Sequence, residues 1–223
     1  MKTYWYLTRA SGAVALILLT LALVIGIAAI GRLATRRWPR FAVDGLHRTA
    51  SLLAIAFLVV HIVSAVLDSF APISLVDAVV PFAGTYRPLW LGLGATAFDL
   101  LVAVAVTSAL RVRLGHSVWR AVHWLAYAAW PIAILHGLGT GSDVRQGWMA
   151  AVYAGCGATV AIAVLIRVSL GWPGDVRWRL AGLGALAGIG LGVALWLPRG
   201  PLAPHWARRA GTPARLLAPV RGT

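Results

Sequence analysis

Long apolar runs, separated by short polar segments rich in arginine, set the pattern of this chain. Six runs fall at about 11–31, 45–67, 89–110, 119–139, 148–170 and 179–197. Each is long enough, or nearly so, to cross a hydrocarbon core of about 30 Å as a helix. The pattern predicts an all-α polytopic membrane protein, a six-helix transmembrane bundle. With 60% of its 223 residues hydrophobic and a mean hydropathy of +0.83, the chain is not a soluble globule.

The polar segments set the orientation. Arg32, Arg36, Arg37 and Arg40, then Arg111, Arg113 and Arg120, then Arg167, Arg177 and Arg179 fall on one side of the predicted bundle. The other side has Arg87 and Arg145, together with Asp68, Asp77 and Asp143. The positive-inside rule makes the first side cytoplasmic, so the chain is expected to be a multi-pass plasma-membrane protein with both termini extracytoplasmic. The first run exceeds a usual signal-peptide core and reads as a retained span. Against this orientation, the tail carries Arg199, Arg208, Arg209, Arg215 and Arg221 on the outer side. That tail is rich in Pro, Gly and Arg and is expected to be loosely ordered.

Charge changes the picture little. A net +14 would suggest nucleic acid in a soluble protein. Here the cations lie between the spans or in the tail, where orientation and anionic lipid account for them, and no nucleic-acid partner is expected. The single Cys156 can form no internal disulfide.

The candidate chemistry is four histidines. The second run carries His47 and His61, fourteen positions apart. On a helix they are ~21 Å apart along the axis and within roughly 40° of one face. The fourth run carries His123 and His136, thirteen apart. The two helices run parallel, so like depth pairs with like depth: His47 with His123, and His61 with His136. Ligating groups inside a membrane are costly and point to function. Two bis-histidine sites, one above the other between the second and fourth helices, would suit two b-type haems, six-coordinate and therefore fitted to electron transfer. Each imidazole is expected to bond through its remaining nitrogen. Thirteen residues leave His136 about 140° from His123 on an ideal helix. Pro131 lies between them, and a kink with local unwinding there is expected to bring the rings to one side. Arg48, Arg120, Arg87 and Arg145 flank the histidine depths and are candidates for haem propionates. Asp99, within the third span, is expected to meet an interior partner.

The segments LHRTASLLAIAFLVVH, YRPLWLGLG and RLGHSVWRAVHWLAYAAWPIAILHGLGTG resemble actinobacterial members of the ferric reductase-like transmembrane superfamily. That superfamily includes NADPH oxidases, ferric reductases and the haem subunit of the periplasmic methionine sulfoxide reductase system. The resemblance covers about residues 5–170. It implies two stacked b haems, transmembrane electron transfer and the same histidine pairings. On this reading residues 1–170 are the haem domain, 171–197 an additional transmembrane helix and 198–223 the basic tail. No flavin and nicotinamide module is legible, so the chain reads as an oxidoreductase component served by a separate donor. Candidate donors are a quinol, a flavin (FMN or FAD) or a reductase partner. Candidate extracytoplasmic acceptors are ferric iron, oxygen or a periplasmic redox protein. Two other classes stay open: a histidine-lined transporter relaying protons or a metal ion without haem, and a haem-free membrane anchor.

Overall fold

The computed structural model describes residues 2–30, 39–171 and 173–217. Arg32, Arg36, Arg37 and Arg221 lie outside the described residues. Every regular element among the described residues is a helix, and none is a strand. They form α1 (Lys2–Ile30), α2 (Arg40–Leu67), α3 (Leu75–Val79), α4 (Pro88–Ala109), α5 (Arg111–Leu114) and α6 (His116–His123). After these come α7 (Ala126–Thr140), α8 (Gly147–Ser169), α9 (Val176–Trp196), α10 (Trp206–Arg209) and α11 (Ala214–Leu217).

Among the described residues, six segments are long and apolar enough to cross a membrane: Thr3–Ala29, Arg40–Leu67, Pro88–Ala109, His116–Thr140, Gly147–Ser169 and Val176–Trp196. The protein is a multi-pass helical membrane protein. Leu52, Val59, Val63, Ile162, Leu165 and Leu191 are exposed on these helices. In water such a surface would aggregate; against lipid tails it is the expected exterior.

Packing divides the chain into two units. One takes Met1–Gly12, Val59–Val144 and Pro204–Thr223, so far as these are described; the other takes Ala13–Leu58 and Arg145–Ala203. In the first unit α4 and α7 form the main interface. Gly92, Ala95 and Ala97 of α4 and Ala129, Leu138 and Gly139 of α7 are buried. Small residues let helix backbones approach where lipid offers no hydrophobic drive to pack large ones. The loop before α4 holds α3, started by a capping box in which Ser74 and Asp77 bond each other's backbone N–H groups. In the second unit α8 packs on α9. Asp175 caps α9 by accepting from the Arg177 N–H, and the same arginine holds its carboxyl below its ordinary pKa.

Two expectations are corrected. Pro131 lies inside α7, and the fourth span breaks upstream of it, between His123 and Ala126. There the N–H groups of Leu125, Tyr127 and Ala128 donate to carbonyls three residues back. The helix is tightened at that turn rather than unwound. A proline acts on the turn before it, because its ring crowds the carbonyl four residues earlier, here that of Tyr127. Each tightened residue advances about 20° further than an α-helical one, so three narrow the His123–His136 offset by about 60°.

The tail is the second correction. Through Leu217 it is not loose: Trp206 Nε1–H donates to the Gly139 carbonyl at 3.2 Å, and its ring lies 5.4 Å from that of Trp90. Arg87 Nε–H donates to Thr212 Oγ1 at 2.9 Å. The composition is that of a linker, but one tryptophan and one buried arginine supply enough directional contacts to order it.

Candidate functional site

α2 brings His61 into the first unit, and α7 brings His136. Their ring centroids are 6.3 Å apart, with planes at 87°. His61 Nδ1–H donates to the Thr8 carbonyl of α1 at 2.8 Å, and His136 Nδ1–H to the Trp90 carbonyl of α4 at 2.8 Å. A backbone carbonyl can only accept, so each bond fixes the proton on Nδ1 and leaves Nε2 with its lone pair, ready to ligate.

In each case a glycine stands four residues after the accepting carbonyl. A Cβ at Gly12 would come within 2.8 Å of His61 Nδ1, and one at Gly94 would overlap the His136 ring. The reason is helical geometry. Side chains tilt toward the N-terminus, so the Cβ of residue i+4 flanks the carbonyl of residue i. Removing it opens the carbonyl's second lone pair to a ring from the neighbouring helix.

The second unit repeats the arrangement with His47 of α2. Its Nδ1–H donates to the Ala22 carbonyl at 2.9 Å, and Gly26 follows four residues later. A Cβ there would meet the ring at 3.5 Å, ordinary contact distance. His123 ends α6 in the first unit, half-buried, its ring 5.0 Å from that of Trp119. The bonds expected at the second imidazole nitrogen therefore have named acceptors for His47, His61 and His136.

The arginines are deployed differently from one another. Arg48 and Arg120 are exposed on α2 and α6, and Arg145 is exposed in the segment before α8. Arg87 is buried at 7% exposure. Its Nη1 donates to the Gly139 and Thr140 carbonyls, at 2.9 and 3.0 Å, closing the last turn of α7. A cation at a helix C-terminus meets unpaired carbonyls and the negative end of the dipole. Nε and Nη1 are thus committed to the polypeptide. Asp99 is half-buried midway along α4.

Sequence reasoning missed the glycines, Thr8, Trp90 and the Arg87–Trp206 clasp. It also missed the ion pair of Arg9 with the buried Asp143, where the Arg9 guanidinium lies 3.8 Å over the Trp5 ring. A signal for the glycines existed: a glycine inside a helix costs about 1 kcal/mol against alanine and calls for a packing reason.

Among the described residues no cluster of three or more His, Cys, Asp or Glu side chains could hold a metal ion. The pair His61–His136 could hold one from two sides. Two metal–imidazole bonds of about 2 Å, with the ring radii added, separate centroids by ~6 Å, and two side chains alone leave an ion under-coordinated. Such a pair suits a metal that arrives with its own equatorial donors.

A family profile described as ferric reductase like transmembrane component matches residues 11–134. The chain belongs to that family. A membrane electron-transfer role follows for this ferric reductase-like chain. The matched stretch is shorter than the 5–170 expected; it holds His47, His61 and His123 and stops two residues before His136. Neither a curated protein nor a solved structure gave a match.

Proposed function

We propose that this ferric reductase-like chain is a dihaem b-type electron-transfer protein. Electrons pass from a cytoplasmic-side donor (a quinol, a flavin or a reductase partner) to an extracytoplasmic acceptor such as ferric iron, oxygen or a redox protein. The observation that carries the reading is the His61–His136 pair. Its rings stand 6.3 Å apart, as two ligands of one iron would, and both are held in the tautomer that leaves Nε2 free. Haem held by His61 and His136 would supply the further donors that the side chains lack, and a one-electron iron couple.

The chain's own residues do the rest. Thr8 and Trp90 orient the imidazoles and raise their basicity, which favours the oxidised metal. Held by both His61 and His136, a haem iron would offer no position to a substrate, which suits the site to passing electrons rather than transforming a ligand. The second haem of the proposal rests on His47 and His123. Its support is their spacing from His61 and His136, the family match and the bonded Nδ1 of His47. Arg48 and Arg120 remain candidates for propionates, as does Arg145. Outward electron flow agrees with an inside-negative membrane, which favours it by about 2.3 kcal/mol per charge per 100 mV.

The test is a dithionite-reduced minus oxidised spectrum of the purified protein, with haem counted per chain as its pyridine complex. Two low-spin b haems are expected, and one in His61→Ala or His136→Ala. A folded protein without haem, from cells supplied with haem, overturns the proposal.

A further inference from the structure

We propose that Gly12, Gly94 and the carbonyls of Thr8 and Trp90 act as positioning groups that hold the His61 and His136 imidazole planes crossed at a right angle. The inference rests on the haem reading above and says which kind of bis-histidine centre this chain builds.

Each ring is constrained twice. Its Nδ1–H is aimed at one carbonyl, and its Nδ1 and Cε1 atoms lie against the glycine one turn further along the same helix. A ring pinned at one atom and held against a backbone could not turn about a bond from its Nε2 to a metal. The plane of His61 is therefore set by α1, and that of His136 by α4, rather than by the helices that carry them. The 87° between the planes follows from which helix surfaces the rings rest on.

The three cradles differ in tightness, and the difference supplies a control. Around Gly94 a methyl group overlaps the ring, so the His136 imidazole must move or rotate. Around Gly12 the methyl comes to 2.8 and 2.9 Å from two atoms of the His61 ring, enough to force a smaller turn. Around Gly26 it sits at 3.5 Å from His47 and forces nothing.

Ring orientation has a signature independent of turnover. Parallel imidazoles split the two iron d orbitals that π-bond with them, and crossed imidazoles leave the pair nearly degenerate. A ferric low-spin haem with crossed ligands therefore gives a strongly axial resonance with one large g value. Parallel ligands give a rhombic spectrum of three lines.

The experiment is low-temperature electron paramagnetic resonance of the oxidised holoprotein, with haem counted in the same samples. Wild type is expected to show a strongly axial low-spin signal. In Gly94→Ala that signal is expected to be lost or to become rhombic, and in Gly12→Ala to shift in the same direction by less. Gly26→Ala is expected to leave it unchanged. Should Gly94→Ala fail to fold, Gly12→Ala carries the test. Wild-type protein with its full haem content but only rhombic signals overturns the inference and leaves the haem reading standing. So does an axial signal that survives both Gly12→Ala and Gly94→Ala. Folded wild-type protein without haem sinks both.

Discussion

Arg87 combines three features that rarely coincide: deep burial, a left-handed backbone (φ 43°, ψ 60°) and a guanidinium spread over two chain segments. Its backbone N–H also donates to the Gly211 carbonyl at 3.1 Å. A non-glycine residue at positive φ is strained, and the bonds it makes offset that strain. Hydrogen bonds from a charged donor contribute about 1.5–3 kcal/mol each when buried. Arg87→Ala is therefore expected to free the tail and to lower stability by roughly 2–4 kcal/mol. Trypsin digestion of the detergent-solubilised protein checks it. Cleavage after Arg208 or Arg209 should become several-fold faster than in wild type, and an unchanged rate would mean the tail is held by Trp206 alone. Nothing local in the sequence around residue 87 announces this role, because every side-chain partner is more than fifty positions away.

At the scale of elements, the fourth span is the informative one. Its apolar run is legible as a crossing, but the tightened turn at 122–128 is not, because it follows from a proline's effect on carbonyls upstream of it. Pro131→Ala restores an N–H to Tyr127's carbonyl and lets the turn relax, swinging His123 away from its position relative to His136. His136 itself stays held by Trp90. On the dihaem proposal, haem content should fall from two toward one per chain; an unchanged count would show that the tightening does not depend on the proline. A second element-scale prediction concerns α9, whose N-terminus is capped by the exposed Asp175. Arg177 depresses its pKa, so the cap's contribution is present above the carboxyl's unfolded pKa and is lost as pH falls through its folded one. Asp175→Asn is expected to keep the capping bond and remove only the acid-range dependence, read as thermal midpoint against pH.

For the whole molecule, the arginine-rich tail had stood against the orientation that the loops imply. The first unit places the tail against Arg87 and Gly139, and pairs Arg9 near the N-terminus with Asp143 after α7. Arg9 and the tail residues Trp206 and Thr212 therefore lie at the end of that unit where α4 begins and α7 ends, in keeping with six crossings. The arginine bias of the loops predicts that this end is extracytoplasmic. A phosphatase reporter fused to the tail is expected to be active, as only an extracytoplasmic fusion would be; a reporter active only in cytoplasmic form would invert the topology.

The number of crossings, their approximate limits and the four histidines were all determined by the sequence alone. Hydropathy over about twenty residues and the angular period of a helix are local properties, and they hold whatever the neighbours are. The tertiary structure decided what holds each ring. The acceptor for His61 lies 53 positions away, that for His136 lies 46, and the tail threonine on Arg87 lies 125. A carbonyl is present at every residue, so no sequence pattern selects Thr8 or Trp90 as the acceptor. Only the packing of one helix against another, at a glycine that lets it come close, does so.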